Sequence, residues 1–150
     1  MKKLMVYIFF LMWTFCFSTP FDEVSEYVEY HPNGIVKLKG SYLIDKKIGF
    51  WNLYREDGSK KTEFSYIDGD NYFGVSTYDK NGILRSSGFV KDLKQDGEWF
   101  FYDVNGKLIL KINYKDGVKD GIFIAYSENK APIVVGYFKQ DILDDVRSIK

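Results

Sequence analysis

The sequence has few of the residues that build reactive or metal-binding sites. Its 150 residues include one cysteine, Cys16, and one histidine, His31. A single cysteine allows no intrachain disulfide and no Cys-based zinc site. His31 lies in the turn-like segment 30–34, and no serine or cysteine motif offers it a nucleophile to activate, so we expect a solvent-exposed turn residue. We therefore predict no catalytic residue, no metal site, no cofactor and no enzymatic activity.

An excess of charge is missing as well. The 21 Lys and Arg residues balance 21 Asp and Glu residues, and the basic pairs at 46–47 and 60–61 are short. Nucleic-acid binding requires clustered positive charge, so nucleic acid is excluded as a partner. Each basic residue near an anionic membrane adds about 1 kcal/mol. Lipid head-group or membrane-surface binding is therefore only a weak alternative.

One apolar segment, residues 4–17, follows the basic start Met1-Lys2-Lys3. It is shorter than the roughly 20 apolar residues that span a membrane, and Cys16 and Ser18 are small residues at the positions that a signal peptidase reads. We predict a signal peptide at 1–18, a linker at 19–24 and export to the periplasm, cell envelope or medium. The mature chain would have 19 basic and 21 acidic residues, a net charge of −2. Lipoprotein anchoring through Cys16 is less favoured, because bulky residues precede it.

The sequence is rich in aromatic residues, which make up 19% of the chain, and they recur with a strict period. Aromatic residues favour strands, and glycine favours turns. A tyrosine returns every 24 residues, and a glycine stands four positions after each of the first four tyrosines, with Lys130 in the fifth place. These repeat-defining residues are Tyr30, Tyr54, Tyr78, Tyr102 and Tyr126, with Gly34, Gly58, Gly82 and Gly106.

Each 24-residue unit has the pattern of a β-hairpin. In the fourth unit, strand-like residues 97–102 precede the turn 103–106, and in the return strand 107–114 apolar residues recur at every second position: Leu108, Leu110, Ile112 and Tyr114. Asn-Gly is a hairpin turn signal with positive φ, and period-2 alternation indicates a strand. Five units predict about ten strands in an all-β, single-layer antiparallel meander, elongated and twisted, roughly 45–50 Å long. The repeat domain is predicted at 25–140 and a C-terminal cap or tail at 141–150, with a trace of helical periodicity at 141–149.

The repeated pattern resembles a known family. Gly97-x-Trp99-x-x-Tyr102-x-x-x-Gly106 with Tyr114-x-Asp116-Gly117 is similar to the MORN repeat in its bacterial variant form, and Gly49 to Gly69 is an equally good copy. The third unit is degenerate at Val75. The resemblance implies a twisted antiparallel sheet that mediates protein–protein contacts, assembly or contact with lipid head groups. Many bacterial members are described as antitoxin-like.

Two aromatic columns alternate along the predicted strands and therefore lie on opposite faces. Both columns can serve packing, or one can remain exposed as a recognition surface. The third unit has small side chains between two well-preserved units, which predicts a shallow depression flanked by the tryptophans. Repeat decay without function is the alternative. The candidate binding surface is Trp51, Val75, Ser76, Thr77 and Trp99.

These features predict an exported, non-enzymatic repeat protein that presents an extended β-surface for protein–protein binding or scaffolding. A protein partner is expected, and its identity is not encoded in any motif. The first alternative is an antitoxin-like protein that neutralises a partner toxin by direct binding.

Overall fold

The computed structural model describes residues 23–67 and 69–149. The predicted signal peptide, Cys16, residues 19–22 of the predicted linker, and Asp68 lie outside the described residues. The described residues form eleven β-strands: Val24–Tyr30 (β1), Val36–Leu43 (β2), Lys46–Tyr54 (β3), Lys60–Tyr66 (β4), Tyr72–Tyr78 (β5), Leu84–Lys91 (β6), Lys94–Tyr102 (β7), Leu108–Lys115 (β8), Val118–Tyr126 (β9), Pro132–Lys139 (β10) and Ile142–Ser148 (β11).

The strands form one antiparallel sheet in which their spatial order is their order in the chain. This confirms the predicted all-β meander of hairpins. The sheet has one strand more than the roughly ten that the repeat count predicted. β11 covers 142–148, where the sequence indicated a cap or tail, and the trace of helical periodicity there is misleading because these residues pair with β10.

The turns differ between the two sides of the sheet on which the strand ends lie. On one side, called the first turn side, Asp103 N–H donates to the carbonyl of Lys107 at 2.8 Å and Gly106 N–H donates to the carbonyl of Asp103 at 3.1 Å. Gly106 has φ +77°, whereas Asn105 has no positive φ, so this is a type I turn closed by a left-handed glycine. The expectation that Asn and Gly both take positive φ is therefore wrong at this turn. On the opposite side, Asp116 and Gly117 both have positive φ, as a two-residue turn requires.

Side chains link each turn on the first turn side to the next turn on that side. His31 Nε2 lies 3.0 Å from the carbonyl oxygen of Tyr54, and Asn33 Nδ2 donates to the carbonyl of Glu56 at 2.9 Å. Arg55 donates in the same way to the carbonyls of Tyr78 and Asp79. His31 is half-buried, so the expectation of a solvent-exposed turn residue is wrong. Its ring connects one repeat to the next.

One face of the sheet, the tryptophan face, carries the core. Trp51 is 1% exposed and Trp99 is also buried, although the described residues form a single sheet with no second layer over these rings. Each indole ring lies flat over a glycine of the preceding strand, Gly40 or Gly88, where an added Cβ would overlap the ring. The indole N–H groups donate to the carbonyls of Ser41 and Phe89 at 3.1 and 2.9 Å. Burying a large ring against backbone and satisfying its polar atom explains how a single layer keeps a core.

A row of residues crosses the tryptophan face from strand to strand, and in several of its β-strand pairs a small residue stands beside a large one. Phe64 on β4 pairs with Val75 on β5, whereas glycine stands beside each tryptophan. Val75 is therefore the small partner of a large neighbour on this face. The row is Tyr27, Gly40, Trp51, Phe64, Val75, Gly88, Trp99, Ile112, Phe123, Gly136 and Val146.

Candidate binding surface

The opposite face, the tyrosine face, carries Asn52, Tyr54, Ser76, Tyr78 and the residues that pair with them. A β-bulge lifts apolar residues on this face in the second and fifth units. Between Asn52 and Ile48 of β3 stand three residues, opposite the single Gly40 of β2. The positive φ of Gly49, +61°, makes this bulge possible. Phe50, the next residue, is 65% exposed, and Ile122 on β9 is exposed in the equivalent place.

The third unit has no such bulge. β4 and β5 pair without a register shift, and a five-residue connection, 67–71, replaces the two-residue turn between strands such as β8 and β9. Gly74 consequently lies directly beside Ser65, and Phe73 turns to the tryptophan face, where it is buried. The absence of the bulge lowers the tyrosine face at its centre.

A depression of about 270 Å³ lies at this place on β4 to β7. Its floor is small and polar because Ser76 and Ser87 face each other across β5 and β6. The other four units hold larger residues in the column of Ser76: Val28, Asn52, Phe100 and Ile124. The residues that border the depression are Glu63, Ser65, Ile67, Gly74, Val75, Ser76, Ser87, Gly88, Phe89 and Phe100.

The rim of the depression is apolar and exposed. Ile67 is 69% exposed, and Phe89 stacks on Tyr72 with ring centroids 5.3 Å apart and planes 2° from parallel. Phe50 stands next to Ser65 on the neighbouring strand. Contiguous exposed aromatic and aliphatic side chains are typical of interfaces.

The charges near the rim are paired within the chain. Lys60 donates to Glu63 at 2.7 Å, and this hydrogen bond is the main reason that the pKa of Lys60 is raised. Glu98 forms an ion pair with Lys111 on the adjacent strand. Because both carboxylates already have partners, the surface around the depression offers mainly shape, apolar area and hydroxyl groups.

The sequence-predicted candidates divide between the two faces. The side chains of Trp51, Val75, Thr77 and Trp99 lie on the tryptophan face, and only Ser76 points into the depression. The tryptophans therefore do not flank it, which differs from the expected arrangement. The sequence prediction missed Ser65, Gly74, Phe89 and Phe100. Strict period-2 counting from Val75 would have separated Ser76 from it.

No metal or membrane-spanning element is found in the described ranges. Residues 23–67 and 69–149 contain no group of three or more His, Cys, Asp or Glu side chains placed to hold a metal ion. The same ranges contain no helix long and apolar enough to cross a membrane.

Comparison with known families agrees with the hairpin geometry. The family model described as "MORN repeat variant" matches residues 24–43, which cover all of β1 and β2, and residues 95–116, which cover most of β7 and all of β8. These two segments are therefore similar to the MORN repeat variant. MORN repeats are a non-enzymatic repeat type that is generally involved in binding proteins or membranes.

Whole-chain comparisons add little to the MORN repeat match. No curated protein matches this sequence. Among solved structures, a mutant of S. aureus TarM in complex with fondaparinux, α-GlcNAc-glycerol and UDP is similar at 12% identity and a TM-score of 0.46, over 59% of this chain and 18% of that one. A second TarM structure is similar at 13% identity and a TM-score of 0.45, over 62% and 20%. The chain thus spans about a fifth of the length of these structures.

Proposed function

We propose that this MORN repeat chain is an exported, non-enzymatic protein that binds another protein through its tyrosine face. The observation that carries the proposal is the central depression, with Ile67 and Phe89 exposed at its rim and the exposed Phe50 next to Ser65. A buried side chain from a partner, surrounded by a rim that excludes water, is the usual centre of a protein interface.

The size of the depression favours a side chain over a metabolite. Pockets for small molecules hold about 300–1,000 Å³ and enclose most of the ligand. This depression, about 270 Å³, is at the lower limit of that range, and because it opens on a sheet surface it would enclose little of such a ligand. Its serine floor and aromatic wall would suit a bulky partner side chain with a polar tip.

Export rests on the basic start, the apolar segment 4–17 and the small residues before Thr19. N-terminal sequencing of protein from the envelope or medium should give a start near Thr19. An intact Met1 on soluble cytoplasmic protein would remove the export part, and a lipid on Cys16 would convert it to anchoring.

The binding surface is tested by filling the depression. Ser76→Phe introduces the side chain that Phe100 already supplies in the same column one repeat later, so the fold should accept it. Ile124→Phe is the matched control, because it adds the same ring in the same column on the same face, two strands beyond the depression. Tagged variants would be used to capture partners from a native envelope extract.

We expect Ser76→Phe to lower partner capture at least about tenfold, equivalent to about 1.4 kcal/mol, and Ile124→Phe to leave it unchanged. Undiminished capture by Ser76→Phe would place the contact elsewhere. An antitoxin would use the same surface on a toxin, and the identity of the captured protein distinguishes this alternative. Salt-sensitive binding to anionic vesicles that Ser76→Phe does not alter would favour a membrane role instead.

A further inference from the structure

The outer edge of β11 has the geometry to pair with another strand. Within the described residues, β11 is hydrogen-bonded to one neighbour, β10, and all seven of its residues are exposed. Ile149 N–H donates to the carbonyl of Ile133 at 2.9 Å. Because the direction of hydrogen bonding alternates along an antiparallel strand, Arg147 and Asp145 also face β10, whereas Val146 and Ser148 direct their backbone groups to the open edge.

The side chains around Val146 are complementary to themselves. Asp145 lies opposite Tyr137 and Arg147 lies opposite Val135, so both side chains are on the tyrosine face. Arg147 Nε is 3.1 Å from Asp145 Oδ2 in the same strand. If two β11 strands pair antiparallel with Val146 opposite its own copy, each Asp145 lies opposite the Arg147 of the other chain. Directly opposed residues of opposite charge stabilise a strand pair.

Neighbouring registers lack this match. A pair centred on Asp145 opposes the two aspartates, and a pair centred on Arg147 opposes the two guanidinium groups. Both also centre on residues whose backbone groups are already turned towards β10. The opposite edge, β1, carries carboxylates, Glu26 and Glu29, and no basic residue.

We propose that the chain forms a two-fold symmetric dimer in which the β11 strands of two copies pair antiparallel about Val146. The two sheets then join into one of 22 strands, twice the eleven of each copy. The two-fold axis is perpendicular to the sheet, so both tyrosine faces and both central depressions open on the same side. A partner with two contact sites would bind such a dimer bivalently. The dimer itself does not depend on the proposed binding function.

The test is the solution mass of the full mature chain, measured by light scattering and sedimentation equilibrium, for variants with reversed charges. Arg147→Asp places two carboxylates opposite each other, at 147 and at Asp145 of the second copy. Asp145→Arg places two guanidinium groups opposite each other, at 145 and at Arg147 of the second copy. Each single reversal should raise the dimer dissociation constant at least about tenfold. The double variant D145R/R147D restores opposite charges across the interface and should restore the wild-type mass.

A second variant tests the edge without changing charge. Val146→Pro removes an N–H that β10 does not use, and proline is tolerated on edge strands. It should give a folded monomer with the far-UV spectrum of the wild type. A monomeric wild type at all concentrations would overturn the proposal, and so would a dimer that persists in Val146→Pro or fails to respond to both single reversals.

Discussion

At the residue scale, burial separates immediate neighbours on one strand. Trp99 lies over Gly88 and is buried, whereas Glu98, the residue before it, is exposed on the other face and pairs with Lys111. This confirms the opposite facing that period 2 predicts for them. A tryptophan in a single-layer sheet is stabilised by the backbone beneath it and by the rings beside it, such as Tyr114 at 6.2 Å.

Trp99→Ala should therefore lower the free energy of unfolding by about 3–5 kcal/mol, the usual cost of removing a buried large ring. Glu98→Ala should cost less than about 1 kcal/mol, because exposed ion pairs contribute little. Urea titrations monitored by far-UV circular dichroism measure both. Equal shifts of the two midpoints would show that the ring is not part of the core.

At the scale of strand pairs, the tryptophan face is built from complementary sizes. The pair of Phe64 and Val75 lies between two glycine–tryptophan pairs. These are Gly40 with Trp51 and Gly88 with Trp99. The small residue at 75 is thus compensated on the adjacent strand, so its size reflects local packing rather than loss of a core residue.

Val75→Trp should overpack the face against Phe64 and destabilise the protein by about 1–3 kcal/mol. In the Val75→Trp background, Phe64→Gly recreates the glycine–tryptophan pair. The unfolding free energy lost through Phe64→Gly should therefore be about 0.5–3 kcal/mol smaller in that background than in the wild type. A double-mutant cycle of unfolding free energies measures this coupling. Strict additivity would contradict the size-pairing explanation.

At the scale of the whole molecule, the number of strands in the sheet determines how long the monomer and the proposed dimer are. Eleven strands leave ten gaps, and at about 4.8 Å each they make the sheet about 48 Å across. Small-angle scattering of the Val146→Pro monomer should give a maximum dimension near this value plus side chains. The wild-type dimer should approach twice that length. A dimer scarcely longer than the monomer would indicate stacked faces instead of joined edges.

The periodic residues of the sequence determined the strand order, the hairpin turns and the assignment of Trp99 and Glu98 to opposite faces. These features are local: a tyrosine every 24 residues, a glycine four positions after each of the first four tyrosines, and alternation along the strand specify them without long-range information. The signal-peptide prediction also rests on local features, and it stays a prediction because those residues lie outside the described part of the chain.

The position of the depression was decided only by the tertiary structure. The pairing of β4 with β5 omits the bulge that the equivalent pairs contain, and this places Gly74 beside Ser65 and Ser76 opposite Ser87 on the tyrosine face. Whether Val75 leaves a gap depends on Phe64, a residue on another strand. Bulges and cross-strand neighbours arise from register between strands, and a repeat pattern read along one strand does not contain that information.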